Sequence, residues 1–166
     1  AHSDNFIVME YLPPGPARFD ILGTTVAAMH QRKAGAYGWP HPVFIGQYNL
    51  GKKPVSTEWS SFWVEHRIAP ILAAVRPKLG GLNSRIDTLL KSYHPPVEGP
   101  CLLHGDLWSG NQLMTQKGPA LIDPSVWWGE RAVDIAMMKL FGGFDRQFWT
   151  HYNEIYPIPQ EVNEAV

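Results

Sequence analysis

The sequence has little cysteine, since Cys101 is the only one among 166 residues. An internal disulfide and a cysteine-based zinc site are therefore excluded, because each needs more than one thiol. A chain with so few thiols is typical of proteins in a reducing compartment, and we expect a cytoplasmic protein.

The sequence also lacks an excess of charge of either sign and any long apolar run. Its 14 basic side chains nearly balance 15 acidic ones, and no basic cluster is visible. Binding to nucleic acid or to an anionic membrane surface would need such a cluster. No apolar segment approaches membrane-spanning length, and residues 1–5 lack the basic start of a signal peptide. We therefore expect neither nucleic-acid nor membrane partners.

The length fits one domain over residues 1–166, because the chain is long enough to bury a substantial core. Apolar periodicity predicts an α+β protein that is mainly helical. Helices are predicted at about 17–32, from Ser56 or Thr57 with an interruption at Pro70, at 82–93, at 133–141 and after a cap at Asp145. Strands are predicted at 6–12, 101–103 and 120–122, the last two as a hairpin. The aromatic, Gly- and Pro-rich segment 34–55 is predicted as a long ordered loop on the substrate side.

The most informative pattern lies at residues 104–111, which read His-Gly-Asp-Leu-Trp-Ser-Gly-Asn. Twelve positions after Asn111, an apolar run ends in Asp123. An Asp, an Asn five residues later and a second Asp at a strand end can supply a proton acceptor and two magnesium ligands, as phosphoryl transfer requires. Asp106 is the candidate acceptor, and Asn111 and Asp123 are candidate ligands through hard oxygen atoms. We interpret 104–125 as a catalytic loop followed by a metal loop.

The same residue types are common in plain turns, so the alternative is a strand connection without function. The fixed spacing, the flanking strands and the helix beyond them favour the catalytic interpretation. His104 is predicted to hydrogen-bond across the loop and hold the region around Asp123. Asp134 is predicted to cap the amides of the catalytic loop or of its own helix.

Other charged and aromatic residues allow weaker predictions. Glu130 and Arg131 are adjacent and opposite in charge, and we interpret them as solvated loop residues. Three of the seven tryptophans keep helical spacing with other apolar residues and are predicted to be core residues: Trp59, Trp63 and Trp149. Those on loops or near the predicted cleft are the substrate candidates: Trp39, Trp108, Trp127 and Trp128.

Taken together, these residues resemble the fructosamine kinase (ketosamine 3-kinase) family, relatives of the aminoglycoside phosphotransferases within the protein-kinase-like fold. The likeness spans most of the chain. Trp108-Ser109 and the run Leu140 to Phe144 are closer to the fructosamine branch than to the aminoglycoside branch. The other matching positions are 8–12, 28–30, 44–46, Asn49, Trp59, Phe62, Arg67, 104–111, 122–124 and Asp134.

The resemblance implies ATP-dependent, magnesium-dependent phosphorylation of a sugar hydroxyl on a ketosamine, such as a glycated lysine side chain. The product would break down and free the amine. The roles of Asp106 as catalytic residue and of Asn111 and Asp123 as Mg²⁺ ligands carry over at matching positions. The backbone of a nucleotide hinge is expected at Glu10, Tyr11 and Leu12. Substrate contacts are expected from Trp108, Asn49, Trp127 and Trp128.

Several kinase elements are not found in the sequence. No glycine-rich loop or strand lysine precedes residue 6, and Gly51-Lys52-Lys53 does not fit a Walker loop. Asp-Pro-Ser at 123–125 replaces the Asp-Phe-Gly of protein kinases, so no activation-loop switch is expected. We expect the C-terminal lobe of such a kinase, without its N-terminal lobe and truncated at its C-terminus. Alone it should be nearly inactive, because the missing lobe holds the nucleotide phosphates.

Three alternatives stay open. One is an aminoglycoside or other small-molecule phosphotransferase. The second is a non-catalytic binding module that retains a kinase-like lobe, although such a module would not need Asp106, Asn111 and Asp123 together. The third is a metal-dependent hydrolase, which would need further His or carboxylate ligands at compact spacing.

Overall fold

The computed structural model describes residues 8–46, 48–49, 53–92 and 96–166. Its α-helices are α1 (Phe19–His30), α2 (Trp59–Trp63), α3 (Ala69–Leu79), α4 (Leu82–Ser92), α5 (Ala132–Phe141), α6 (Arg146–Ile155) and α7 (Gln160–Glu164). Its strands are β1 (Tyr37–Trp39), β2 (Phe44–Ile45), β3 (Tyr48–Asn49), β4 (Lys53–Ser56), β5 (Cys101–Leu103), β6 (Gln112–Thr115), β7 (Gly118–Leu121) and β8 (Trp127–Gly129). This confirms the predicted α+β class with more helix than strand.

The strands form three small antiparallel sheets. The largest has the order β4-β1-β8-β5, and β2-β3 and β6-β7 are two-stranded. In the largest sheet, β5 pairs with β8 so that Cys101 faces Gly129 and Leu103 faces Trp127. The catalytic loop therefore leaves a strand in this sheet and runs into the β6-β7 hairpin.

One core cluster lies between α1, α5 and α6. The apolar residues of α1 recur at helical spacing, and Leu22 and Val26 are fully buried together with Phe148 of α6. Gly23 allows α1 and α6 to approach closely, because a Cβ at this position would lie 2.4 Å from the carbonyl oxygen of Phe148. The α5 residues of this cluster lie directly behind the catalytic loop.

A second cluster is aromatic and lies under the largest sheet. Trp59 and Phe62 of α2 stack against Tyr37 and Trp127 with ring centroids 5.1–6.0 Å apart. Trp59 is buried, as the helical spacing predicted, and Trp63 packs against the same cluster. This cluster supports β8, the strand paired with the one that precedes the catalytic loop.

The helix ends follow the signals in the sequence. Gly142 ends α5 with a φ of 69°, which favours glycine. Asp145 caps α6 by accepting a hydrogen bond from the amide of Phe148 at 2.9 Å, as predicted. The interruption predicted near Pro70 is a π-helical turn, Val64–Ile68, between α2 and α3. Pro70 lies in the first turn of α3, directly after this π-helical turn, and its missing N–H removes one bond of the continuous helical run.

The strand predicted at 6–12 is wrong for the residues that can be compared. Residues 8–12 have no regular secondary structure, and residues 6–7 lie outside the described residues. Backbone hydrogen bonds fix the chain to the β6-β7 hairpin further along, where Gly15 donates to the carbonyl oxygen of Met114 and Gln116 donates to that of Pro13. Apolar composition predicted a strand, but a strand also needs a neighbouring strand, and Pro13 and Pro14 directly after residue 12 lack the N–H groups that continued pairing would need.

The predicted hairpin between 101–103 and 120–122 is also wrong. β7 pairs with β6, with Thr115 facing Gly118, and β5 pairs with β8. The two residues 116–117 connect β6 and β7, and the φ of 112° at Gly118 suits such a tight turn. β7 thus pairs with β6, the strand that directly precedes it in the sequence, and not with β5.

The segment 34–55 was predicted as a loop, but its described residues form β1, β2, β3 and most of β4. Trp39 faces Lys53 across β1 and β4, so two distant parts of the segment pair with each other. The predicted end of α4 at residue 93 cannot be compared, because 93–95 lie outside the described residues. Within the described ranges, none of the helices is long and apolar enough to cross a membrane.

Candidate active site

The catalytic loop begins in a tight backbone path at Gly105. Its φ is 80°, and a Cβ here would lie 2.0 Å from the carbonyl oxygen of Ser125. The amide of Ser125 in turn donates to the carbonyl oxygen of His104 at 2.8 Å. Only glycine fits this close crossing of the catalytic and metal loops, so the sequence His-Gly-Asp is dictated partly by backbone contact.

Asp106 and Asn111 are in direct contact. The Nδ2 atom of Asn111 lies 2.8 Å from the carbonyl oxygen of Asp106 and 3.1 Å from its Oδ2. The turn Ser109–Asn111 closes the loop, with the Asn111 amide donating to the carbonyl oxygen of Trp108. Asn111 is buried whereas Asp106 is half-buried. The amide therefore orients a carboxylate that still reaches the surface.

Asp123 is held beside the same loop by its neighbour Ile122. The amide of Ile122 donates to the carbonyl oxygen of Asn111 at 3.0 Å, directly continuing the β6-β7 pairing. Asp123 itself has a φ of 49°, a left-handed conformation that Asp tolerates better than most residues. Its side chain is exposed. An exposed carboxylate on the residue after Ile122, which is bonded to Asn111, offers the hard oxygen donors that suit Mg²⁺.

His104 connects the two loops through its ring. Its Nε2 lies 2.9 Å from the carbonyl oxygen of Ile122, and the amide of Asp106 points to its Nδ1 at 3.4 Å. These contacts fit the neutral ring with its proton on Nε2, since Nδ1 then accepts and Nε2 donates. The His104 ring therefore holds Ile122, the residue before Asp123, as the sequence predicted.

Asp134 lies behind the catalytic loop, at the start of α5, and is fully buried. Its two carboxylate oxygens accept hydrogen bonds from the amides of His104 at 2.8 Å and Gly105 at 2.9 Å. The ring of His30 lies 3.1 Å from Asp134 Oδ2. Three donors thus surround a buried carboxylate, which stabilises its charge and fixes the backbone that leads to Asp106.

The contacts of His30 extend further into the core. Its Nδ1 lies 2.8 Å from the hydroxyl of Tyr152 on α6, which also receives Nη1 of Arg131 at 3.3 Å. Arg131 forms a buried ion pair with Glu98 at 2.6 Å. A chain of hydrogen bonds therefore runs from the loop before β5, through residues of α6, α1 and α5, to the catalytic loop.

Glu130 and Arg131 were interpreted as solvated, and this is wrong. Both are about 1% exposed. The Glu130 carboxylate accepts hydrogen bonds from the hydroxyl of Tyr37 and from the amides of Glu98 and Gly99, at 2.9 and 3.0 Å for the amides. Although the two residues are adjacent in the sequence, their charged groups bind different partner groups. These groups come from distant parts of the chain, so the local sequence does not indicate them.

The predicted substrate tryptophans occupy different environments. Trp127 is only 2% exposed, and it lies in the aromatic cluster against Trp59, so its proposed role as a substrate contact is corrected to a core role. Trp128 is half-buried and contacts Trp39 with ring centroids 6.0 Å apart. Trp108 is 38% exposed, on the catalytic loop itself. Trp108 is therefore both exposed and close in sequence to Asp106 and Asn111.

The remaining predicted contacts lie on two exposed segments. Asn49 is exposed and ends β3, opposite Phe44 of β2. In the predicted hinge, Glu10 forms an exposed ion pair with Lys117 of the hairpin at 2.8 Å, and Tyr11 is 78% exposed. Leu12 is half-buried. The predicted hinge segment is thus linked at Glu10 to the β6-β7 hairpin, which directly follows Asn111.

Sequence reasoning missed the buried supports of the site. His30 appeared only as one more residue on the apolar face of α1, and Tyr152 as one of the apolar positions of α6. A polar residue at a core position of a helix was the available signal, because a buried polar group needs a partner. Glu98 gave no such signal, since it follows a helix in a loop.

One alternative required clustered metal ligands. In 8–46, 48–49, 53–92 and 96–166, the structure brings together no group of three or more His, Cys, Asp or Glu side chains that could hold a metal ion. The pair Asn111 and Asp123, an amide and one carboxylate, is instead the kind of set that leaves coordination positions to water and phosphate.

Comparisons with known proteins show the family of the chain. The family model of fructosamine kinase matches residues 1–165. A "probable ketoamine kinase" of Thermus thermophilus is 45% identical over 161 residues, covering 96% of this chain and 60% of that protein. A "probable ketoamine kinase" of Lactiplantibacillus plantarum is 32% identical, covering 99% of this chain and 61% of that protein.

A solved structure gives the same likeness in three dimensions. A "putative fructosamine-3-kinase" of Thermobifida fusca superposes with a TM-score of 0.80 at 33% identity. The match covers 93% of this chain and 57% of that one. The chain thus spans about 60% of the length of the curated relatives it matches.

Proposed function

Because the chain belongs to the fructosamine kinase family, we propose that it carries the catalytic loop of a kinase that phosphorylates a sugar hydroxyl of a ketosamine with ATP. Glycated lysine side chains and small-molecule ketosamines are the acceptors in this proposal. The relatives are described as ketoamine kinases, which supports a sugar-amine acceptor.

The observation that carries the proposal is the contact between Asp106 and Asn111. The Asn111 amide binds Asp106 Oδ2 at 3.1 Å. The proposal assigns the other oxygen, Oδ1, to the acceptor hydroxyl. In the proposed reaction, the sugar hydroxyl oxygen bonds to the γ-phosphorus of ATP as the bond to the leaving oxygen of ADP breaks. The hydroxyl proton passes to the Asp106 carboxylate. Asp106 thus positions the hydroxyl and takes up its proton.

The residues that would hold Mg²⁺ are Asn111 and Asp123. Both supply oxygen donors, and the backbone bond between Ile122 and Asn111 keeps their two segments together. When bound, Mg²⁺ would offset negative charge on the phosphates. The exposed side chain of Asp123 is compatible with this role, because a ligand to a nucleotide-bound metal must face the cleft.

We further propose that the described residues form the C-terminal lobe of the kinase and that the nucleotide also needs an N-terminal lobe. The relatives are longer than this chain, which covers about 60% of them. In this proposal, the backbone of Glu10 to Leu12 contacts the adenine. The 166-residue chain alone should then transfer phosphate at a small fraction of the rate of the full-length protein, because positioning supplies most of this catalysis.

The test is an assay of the full-length protein with ATP and fructosyl-lysine or ribosyl-lysine. The phosphorylated ketosamine is measured by mass spectrometry and ADP by a coupled assay, with an aminoglycoside as a second acceptor in parallel. We expect ketosamine phosphate and ADP in equal amounts. Phosphorylation of the aminoglycoside alone would replace the acceptor class. If neither acceptor is phosphorylated and ATP is not consumed, the binding-module alternative is favoured.

A further inference from the structure

Two aromatic side chains beside the catalytic loop remain on the surface. Trp108 and Phe141 contact each other with ring centroids 5.9 Å apart and planes inclined by 58°. Trp108 is 38% exposed and Phe141 is 57% exposed. Single exposed apolar residues are common, but a contacting aromatic pair beside reacting groups is more informative. We call Trp108 and Phe141 the aromatic wall.

The aromatic wall is held in place by the end of α5. Gly143 has a φ of 85°, and a Cβ at this position would lie 2.3 Å from the Cβ of Ser109. The side chain of Gln112 donates to the carbonyl oxygen of Gly143 at 2.8 Å. Phe144 then enters the core, with its ring 4.9 Å from that of Phe148. These contacts attach the backbone after Phe141 to the catalytic loop on both sides of the turn Ser109–Asn111.

The aromatic wall adjoins the candidate proton acceptor. The six-membered ring of Trp108 lies on the backbone of Gly110, because a Cβ there would be 2.3 Å from its Cη2. The next residue, Asn111, binds the carboxylate of Asp106. A substrate whose hydroxyl reaches Asp106 therefore has the aromatic wall as a neighbouring surface.

The charge around the aromatic wall favours a cationic ligand group. Among the described residues, the Lys and Arg side chains that stack on aromatic rings do so elsewhere, and none lies over Trp108 or Phe141. Asp106, two positions before Trp108 in the sequence, adds negative charge. Aromatic faces attract ammonium groups, and the amine nitrogen of a ketosamine is protonated near neutral pH. A sugar without an amine lacks the positive charge that this attraction requires.

We propose that Phe141, together with Trp108, binds the ammonium-bearing part of the acceptor and makes Phe141 a specificity-determining residue. The inference rests on the proposed kinase function, and it adds how a ketosamine is distinguished from a sugar without an amine. Phe141 acts on acceptor binding and not on the transfer step, since the side chain takes no part in proton or phosphate chemistry.

The test compares two acceptors in the full-length protein. One is fructosyl-lysine, and the other is its ether analogue, in which oxygen replaces the amine nitrogen. For Phe141→Leu, which keeps an apolar side chain without an aromatic face, we expect kcat/KM for the amine to fall about 3-fold to 30-fold, mainly through KM. The ether analogue should change less than about 2-fold, because it carries no cation to stack. Phe141→Tyr should retain the preference.

A matched control is Leu140→Ala, which removes a side chain that is 77% exposed on the neighbouring position of α5. It should leave the ratio of the two acceptors unchanged. Equal losses of kcat/KM for both acceptors in Phe141→Leu, or no loss for either, would overturn the inference. The kinase proposal would still hold in that case, because it depends on turnover of fructosyl-lysine by the wild-type protein. A wild-type protein that phosphorylates neither acceptor contradicts the kinase proposal and this inference with it.

Discussion

The ring of His30 lies 3.1 Å from the carboxylate of Asp134, although 104 positions separate the two residues in the sequence. Both side chains are almost completely buried. The same carboxylate receives the amides of the catalytic loop, so α1 and α5 together fix the backbone before Asp106. The stability of the domain and the geometry of the candidate site therefore depend on one buried group.

Replacing Asp134 with Asn should strongly destabilise the protein. The buried amide would place an N–H group toward backbone donors, and the charge-assisted hydrogen bonds would be lost. We expect a decrease of about 3 kcal/mol in the free energy of unfolding, measured by urea denaturation. Asp145→Asn is the control, because Asn also caps helices well and the change should be below about 0.5 kcal/mol. Equal effects of the two substitutions would contradict the role of Asp134.

Replacing Gly105 with Ala should cost more than the backbone conformation alone explains. Gly118 provides the control, since its φ of 112° is also left-handed but a Cβ there meets nothing within 4 Å. Gly118→Ala should cost about 1–2 kcal/mol of unfolding free energy. Gly105→Ala should cost a further 1–3 kcal/mol, roughly, because the Cβ collides with the backbone of Ser125. Thermal melts that rank the two variants equally would show that the loops can move apart.

Replacing Arg67 with Met should be neutral or stabilising. Arg67 is 3% exposed, and its guanidinium nitrogens have no hydrogen-bond partner among the described residues. Burial lowers the pKa of Arg67 to about 10, so the side chain is still charged at neutral pH. Its contact with the Trp127 ring at 3.8 Å gains on the order of 2 kcal/mol, whereas burying a charge costs several.

The direction of the pKa shift of Arg67 determines how the stability difference between the wild type and Arg67→Met changes with pH. Because the folded pKa of Arg67 is below the unfolded value, the penalty is fully present at neutral pH and shrinks as the pH rises above about 10. Denaturant unfolding at neutral pH should give Arg67→Met a gain of roughly 0–2 kcal/mol. Arg76→Met, at an exposed ion pair with Asp87, is the control and should change stability by less than about 1 kcal/mol. A large loss in Arg67→Met would reveal an anionic partner of Arg67.

Local signals in the sequence predicted the helices and the loop that carries the candidate site. The spacing of Leu22 and Val26 gave α1, Asp145 gave the start of α6, and the interval between Asp106 and Asn111 gave two side chains that are in contact. These features depend on residues close in the chain, where periodicity and capping act directly.

Contacts between residues that are distant in the chain could not be predicted from such local signals. Glu130 is buried because Tyr37, 93 positions away, and the amides of Glu98 and Gly99 satisfy its carboxylate. Trp127 is buried because α2 packs over it. Composition assigns charged and loop residues to solvent, and only the tertiary structure supplies the groups that offset their burial.

The measurement that tests the central proposal most directly is the turnover of full-length Asp106→Asn with ATP and fructosyl-lysine. Asn keeps the size of the side chain and its contact with Asn111 but cannot take the hydroxyl proton. Glu154→Gln, an exposed carboxylate on α6, is the matched control. We predict that kcat falls by about 100-fold or more in Asp106→Asn, with an unchanged melting temperature, and stays at the wild-type value in the control. Wild-type turnover in Asp106→Asn would contradict its assignment as the proton acceptor.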